Sequence, residues 1–140
     1  MVMNFGAVPS TGMTSIEQEF GNLVDTFFGS ARRNGMPRLN VVEYDDRTEI
    51  VGELPGVTKE DNSVTVEDGV LILKGERKPR EFPDGAAWVA NEIPSGEFGR
   101  AVHLAYPVAI DSVSAELSNG LLRIVLPKVE EARPKQIVIR

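Results

Sequence analysis

The chain has 140 residues, 41% hydrophobic and 26% charged, with a formal net charge of −6, which is enough for one domain with one core and little more. The acidic balance and the lack of a Lys/Arg-rich block argue against a nucleic-acid partner, and the absence of cysteine excludes disulfides, thiolate zinc sites and a cysteine nucleophile while suiting a reducing cytosol. No apolar run approaches the ~20 residues that cross a bilayer, and the start MVMNFGAVPSTGM lacks the basic and apolar stretches of a signal peptide, so the expectation is a cytoplasmic protein with no membrane span.

Residues 1–37 hold all four Met and four of the six Phe. Thr14 and Glu17 have capping-box spacing. Ile16, Phe20, Leu23, Val24, Phe27 and Phe28 then recur three and four apart, making one apolar stripe that Gly29 stops. The spacing predicts a helix within an otherwise irregular arm.

Residues 38–127 alternate apolar and polar positions between turn signals. Strands are expected over 39–44 and 48–54 around Asp45-Asp46, and over 63–67 and 70–77 around Asp68-Gly69. A further strand is expected over 97–106, ended by Pro107. Two more, over 112–117 and 121–126, flank Asn119-Gly120. Asp-Gly and Asn-Gly are the strongest short hairpin signals. Seven or eight short strands without interleaved helices predict an all-β, immunoglobulin-like β-sandwich. Residues 78–96 fit poorly, with Pro79, Pro83, Pro94 and only a weak strand near Trp88 and Val89. A long loop of this kind usually has a task, and pairing with another subunit would be one.

Residues 128–140 form a charged stretch ending in Ile-Val-Ile-Arg. Ile137 and Ile139 are two apart, so an extended chain projects both from one face. VEEARPK before them is too polar for a core strand. Such a pair suits an apolar groove on a neighbour; a last strand of the same sandwich, or a frayed end, is the other reading.

The run ELPGVTKEDNSVTVEDGVLILKGERK (53–78) resembles the first half of the α-crystallin domain of bacterial small heat-shock proteins. AELSNGLL (115–122) resembles that family's A-x-x-x-N-G-V-L signature. Trp88, Glu92, Gly96, Phe98 and Arg100 are spaced like its dimerisation loop and following strand, and Ile137 and Ile139 look like its terminal I-x-I anchor. The four motifs stand in the family's order over roughly residues 38–140. The chain departs from the family pattern at Asn62, where an apolar residue is common, and at Ile93, where arginine is common.

The resemblance implies a variable arm (1–37), an α-crystallin domain (38–127) and an extended C-terminal tail (128–140). It implies an ATP-independent holdase, not an enzyme, with no cofactor. Its partners would be itself, as strand-exchanged dimers assembling into larger homo-oligomers, and unfolding client proteins, with ATP-driven chaperones acting downstream. The groove receiving the anchor would be Val64, Val66, Val113, Ala115 and Leu117, which alternation also makes partly core. The dimer interface would use Trp88, Glu92 and Arg100. Arg100 shares a strand face with Phe98, Val102 and Leu104, where a guanidinium is costly unless paired; a β-bulge turning it to solvent is the alternative. Client contacts would come from Phe5, Met13, Ile16, Phe20, Leu23, Phe27 and Phe28, a flexible apolar set that can repack around many partners; the same stripe could equally pack on its own sandwich or inside an oligomer.

Catalysis has little support. One histidine, His103, without cysteine gives no persuasive metal set or triad, and no phosphate-loop motif occurs. The competing functions are a cochaperone of the CS-domain type and a β-sandwich ligand-binding module.

Overall fold

A computed structural model describes residues 37–139; the expected helix and the arm residues Phe5, Met13, Ile16, Phe20, Leu23, Phe27 and Phe28 lie outside them. Seven strands form among the described residues: β1 Leu39–Glu43, β2 Arg47–Glu53, β3 Asn62–Glu67, β4 Val70–Arg77, β5 Gly96–His103, β6 Ser114–Ser118 and β7 Leu121–Pro127. Turn chemistry sets two of the hairpins. Asp68 and Gly69 have φ of 49° and 75°, and Asn119 and Gly120 have φ of 51° and 75°. Left-handed values at both central residues are what a type I′ turn needs, and its twist matches that of the flanking strands.

The strands form two antiparallel sheets, in the orders β1-β2-β7-β6 and β3-β4-β5. Local hairpins supply β1–β2, β3–β4 and β6–β7, while β2–β7 joins segments about half the chain apart, running from Arg47 opposite Pro127 to Glu53 opposite Leu121. Alternation then turns Ile50 of β2, Leu71 and Leu73 of β4, Phe98 of β5, and Leu122, Ile124 and Leu126 of β7 into one core between the sheets, with Leu54, Val57 and Leu104 closing its ends. This is the expected β-sandwich, each sheet apolar on its inner face. Gly75 is part of the fit: a Cβ there would lie 2.7 Å from the Asp61 carbonyl oxygen and still nearer the Phe98 ring.

Three expectations about local structure differ from what forms. The run over 97–106 leaves the ladder after His103, where the Leu104 amide donates to Gly69 O instead. The strand expected from Ser112 starts at Ser114, because Ile110–Ser112 is a 3-10 turn whose local bonds, Ser112 N to Ala109 O and Val113 N to Ile110 O, take donors a ladder would need. No strand forms around Trp88 and Val89 in the single chain; residues 78–95 make a long exposed connection from β4 to β5.

The halves of β4 also differ. Val70, Leu71, Ile72 and Leu73 are all buried, after which burial alternates with exposure. Leu71 and Leu73 belong to the core cluster; Val70 and Ile72, with the opposite parity, do not.

Candidate functional site

Among the described residues no group of His, Cys, Asp and Glu is placed to hold a metal ion, and no helix is long and apolar enough to cross a membrane. The candidate sites are surfaces where apolar side chains stand outside the sandwich.

The tail is the clearest. After a 3-10 turn at Glu130–Ala132 the chain has no regular structure, and Ile137 and Ile139 are 84% and 94% exposed. They do not form a last strand of their own sandwich. The root of the tail is held firmly. Lys128 is only 4% exposed; its ammonium donates to the Tyr44 carbonyl (2.6 Å), pairs with Glu43 (2.9 Å) and stands 4.0 Å from the centre of the Tyr106 ring. A buried ammonium is tolerated only with such partners, so the tail leaves the domain from a fixed point beside the β1–β2 turn. Sequence reading missed this node, because a lysine after Pro127 reads as one more charge in a charged stretch.

The expected groove residues are divided between two sheet edges. Val64 and Val66 lie half-buried on β3, the edge of the three-stranded sheet; Leu117 lies half-buried on β6, the edge of the four-stranded one. Val113 is half-buried just before β6, and all four pack against the core, whereas Ala115 is exposed. A cleft of about 460 Å³ connects Val66 with Leu104, Tyr106, Val108 and Ile110, on the segment leading into β6. Sequence reading does not single out those last four. Their signal was the apolar content of LAYPVAI, which Pro107 disguised as a strand end.

The third surface is the loop after β4. Its roots are pinned: Lys78 pairs with Asp61 at 2.7 Å, and the Arg77 guanidinium donates to Pro94 O at 3.1 Å. The hydrogen bond to Lys78 foremost, then that from Thr58, holds the Asp61 carboxyl below its ordinary range, and the same pairing raises Lys78. Asn62 closes the 3-10 turn carrying Asp61 by donating to Thr58 O at 2.6 Å, which gives the departure from the family pattern here a local role. Beyond its roots the loop exposes Trp88 (58%), Val89 and Ile93. The Trp88 and Phe82 rings meet edge to face at 4.8 Å, and a cavity of about 240 Å³ opens between Arg80, Phe82, Trp88 and Ile93. Phe82 was missed as a partner; two aromatics in an otherwise proline- and alanine-rich loop were the available signal.

Arg100 does not face solvent from a bulge. The β4–β5 register is unbroken from Val70 opposite His103 to Arg77 opposite Gly96, with Arg100 opposite Leu73. Its half-buried guanidinium donates to the carbonyl of Pro37 at 2.9 Å. Within one chain Trp88, Glu92 and Arg100 are not brought together: the first two are exposed on the loop and the third lies on β5. On the outer face of the other sheet, Glu49 accepts from Arg47 (2.8 Å) and Arg123 (2.9 Å). The Arg47 bond foremost, with help from Arg123 and against burial, holds its carboxyl below the ordinary range. This cluster ties β2 to β7 and reads as structural.

Residues 40–140 match the model of the Hsp20/alpha crystallin family. Heat shock protein 16 of Schizosaccharomyces pombe is 37% identical over 109 residues, covering 74% of this chain and 75% of that protein. Small heat shock protein C2 of Rickettsia felis is 26% identical over 128 residues, covering 85% and 83%. Among solved structures, heat shock protein 16.0 of S. pombe superposes with a TM-score of 0.64 at 36% identity, covering 74% of this chain and 97% of that one. A small heat-shock protein of Xylella fastidiosa, described as having a distinct high order structure, gives 0.61 at 28% identity, covering 75% and 96%. With its two antiparallel sheets and the family's motifs in order, the chain belongs to the Hsp20/alpha crystallin family of small heat-shock proteins, and is a chaperone rather than an enzyme.

Proposed function

We propose that this chain is an ATP-independent holdase that binds unfolding proteins and keeps them from aggregating. The observation that carries the reading is a sandwich with a complete core that nevertheless leaves Ile137, Ile139, Trp88 and Ile93 outside it. Exposed apolar side chains grouped on a tail and on a loop are costly in a monomer and suit a protein that assembles with itself.

In this reading residues 38–127 are the assembling domain, 1–37 the client-binding arm and 128–140 the linking tail. The loop over 78–96 exchanges with a partner and adds a strand to its sandwich, with Trp88, Glu92 and Arg100 meeting at that interface. The outer edge of β1, unpaired among the described residues and carrying the exposed Val42, is the edge suited to receive it. Ile137 and Ile139 of one dimer seat between β3 and β6 of another, with Val64, Val66, Val113 and Leu117 as the walls and the cleft at Val66 as one end. Warming loosens these small contacts first and frees the Met- and Phe-rich arm for clients. Burial at ~25 cal/mol per Å² lets many loose contacts add up, and ATP-driven chaperones would complete refolding. The lack of cysteine suits a reducing compartment such as the cytosol.

The test is light scattering of a heat-labile, unrelated protein, warmed with and without the chain in the absence of nucleotide. Suppression of aggregation near equimolar ratio, absent with an inert control protein, is expected. No suppression across a range of temperatures and ratios would overturn the reading.

A further inference from the structure

The proline-rich connection after β4 folds back on itself rather than trailing from the sheet. Its sequence Pro83-Asp84-Gly85-Ala86 closes a turn in which the Ala86 amide donates to Pro83 O at 3.2 Å, and Gly85, at φ 88°, supplies the left-handed third residue. That reversal brings Phe82 and Trp88, from opposite arms of the loop, into edge-to-face contact at 4.8 Å. The two ends of the loop are drawn together as well, since Arg77 donates to Pro94 O across its base and Lys78 is tied to Asp61. Between these contacts lies the cavity of about 240 Å³.

The cavity has two chemical characters. Its walls are apolar: Phe82, Trp88 and Ile93 line it while staying 44%, 58% and 77% exposed, so packing against one another leaves much of their surface wet. Its charged lining is wholly cationic. Arg77, Lys78 and Arg80 reach it, and no carboxylate does; the loop's own acids, Glu81, Asp84 and Glu92, lie outside the lining. Lys78 is engaged with Asp61, and Arg77 in closing the loop. Arg80 stands 5.4 Å over the Phe82 ring and has no carboxylate partner among the described residues.

A guanidinium poised over one aromatic wall of an apolar cavity suits a carboxylate carried on a flat apolar body. The fork can donate to both oxygens, and the body displaces water from three apolar side chains. A volume of about 240 Å³ lies just under the roughly 300–1,000 Å³ of sites for drug-sized ligands, which limits that body to one or two rings.

We propose that the loop after β4 forms, on its own chain, a binding site for a small aryl carboxylate, with the ring beside Phe82, Trp88 and Ile93 and the carboxylate on Arg80. Only the consequence rests on the reading of 78–96 as the exchanging loop: the site exists while the loop lies on its own chain, so an occupant draws chains away from the strand-exchanged dimer. Binding is measured with no client present, so its failure is distinguishable from failure of the holdase reading.

The probe is para-trifluoromethylbenzoate, titrated with the full chain and followed by its fluorine NMR line width, with sedimentation velocity on the same samples. The corresponding benzamide is the neutral comparator. Arg80→Gln and Phe82→Ala are the variants, both on the exposed loop and away from the core. The expected result is saturable binding, about tenfold weaker in each variant and for the amide, with the monomer share rising as the probe saturates. No saturable binding would overturn the proposal, and so would equal affinity for acid and amide, or for the unaltered chain and Arg80→Gln. Saturation with an unmoved monomer share would overturn the link to exchange.

Discussion

Replacing both tail isoleucines with alanine separates the tail's role in assembly from any role in folding. Each change removes three carbons, worth about 2.4 kcal/mol at ~0.8 kcal/mol per buried methylene. In the single chain that contribution is absent, because Ile137 and Ile139 are 84% and 94% exposed. The melting midpoint of the sandwich should therefore stay where it is. If the tails seat between β3 and β6 of a neighbour, the pair of changes costs about 5 kcal/mol per tail contact, or about three and a half decades in its dissociation constant. Ordering the tail costs much the same in both proteins and cancels. Sedimentation velocity across a dilution series is the assay, with assemblies collapsing to the dimer at concentrations where the unaltered chain remains large. An unchanged size distribution would refute the tail as anchor. A lowered melting point with unchanged size would show instead that the tail packs on its own domain.

The remaining expectations concern the domain and its loop. Gly75→Ala places a Cβ against the Phe98 ring and the Asp61 carbonyl; overpacking of this kind costs about 1–3 kcal/mol, a fall of roughly 4–24 °C in melting temperature for a domain of this size, and differential scanning calorimetry checks it. Lys128→Ala removes the ammonium from the Tyr44 carbonyl and from Glu43, which keeps its bond from Thr48; the loss should cost about 1.5–3 kcal/mol, and faster amide exchange should concentrate in the β1–β2 turn and at the start of the tail. The Asp61–Lys78 pair makes the loop root acid-sensitive. Asp61 titrates lower in the folded chain than its ordinary 3.8, so its contribution is present above that value and is lost as pH falls through the lower folded one. The difference in melting temperature between the unaltered chain and Asp61→Asn should therefore be present at neutral pH and shrink towards pH 2; a constant difference would contradict the pairing. Arg100→Ala should weaken dimers and broaden the oligomer distribution, and native mass spectrometry with a subunit-exchange assay would detect it; unchanged mass and exchange rate would count against the assignment.

Local chemistry made much of the domain legible. Asp68-Gly69 and Asn119-Gly120 placed two hairpins because few residue pairs accept left-handed φ at both positions, and β4 was read to the residue because a turn and a proline-bearing loop bound it. What alternation could not reveal was which strands pair. Nothing within Arg47–Glu53 or Leu121–Pro127 marks the two as neighbours, since that ladder is set by the closing of the whole core. Lys128 and Glu49 were equally invisible, because residue type says exposed and only the assembled partners make burial tolerable. Of the residues expected to form a groove, Val64, Val66, Val113 and Leu117 are half-buried and Ala115 is exposed; Leu104, Val108 and Ile110, which line the cleft at Val66, lie on irregular backbone where period-two spacing gives no signal.

Trp88 is the only indole in the chain and stands more than half exposed, edge-on to Phe82 in the loop after β4. Its emission is therefore an optical gauge built into the protein, reporting on that loop without an added dye. A water-exposed indole emits to the red and a buried one to the blue, so the wavelength maximum follows whether the loop lies free or covered. Shifts on dilution or warming can be followed in real time, in the same cuvette that scatters light from an aggregating client.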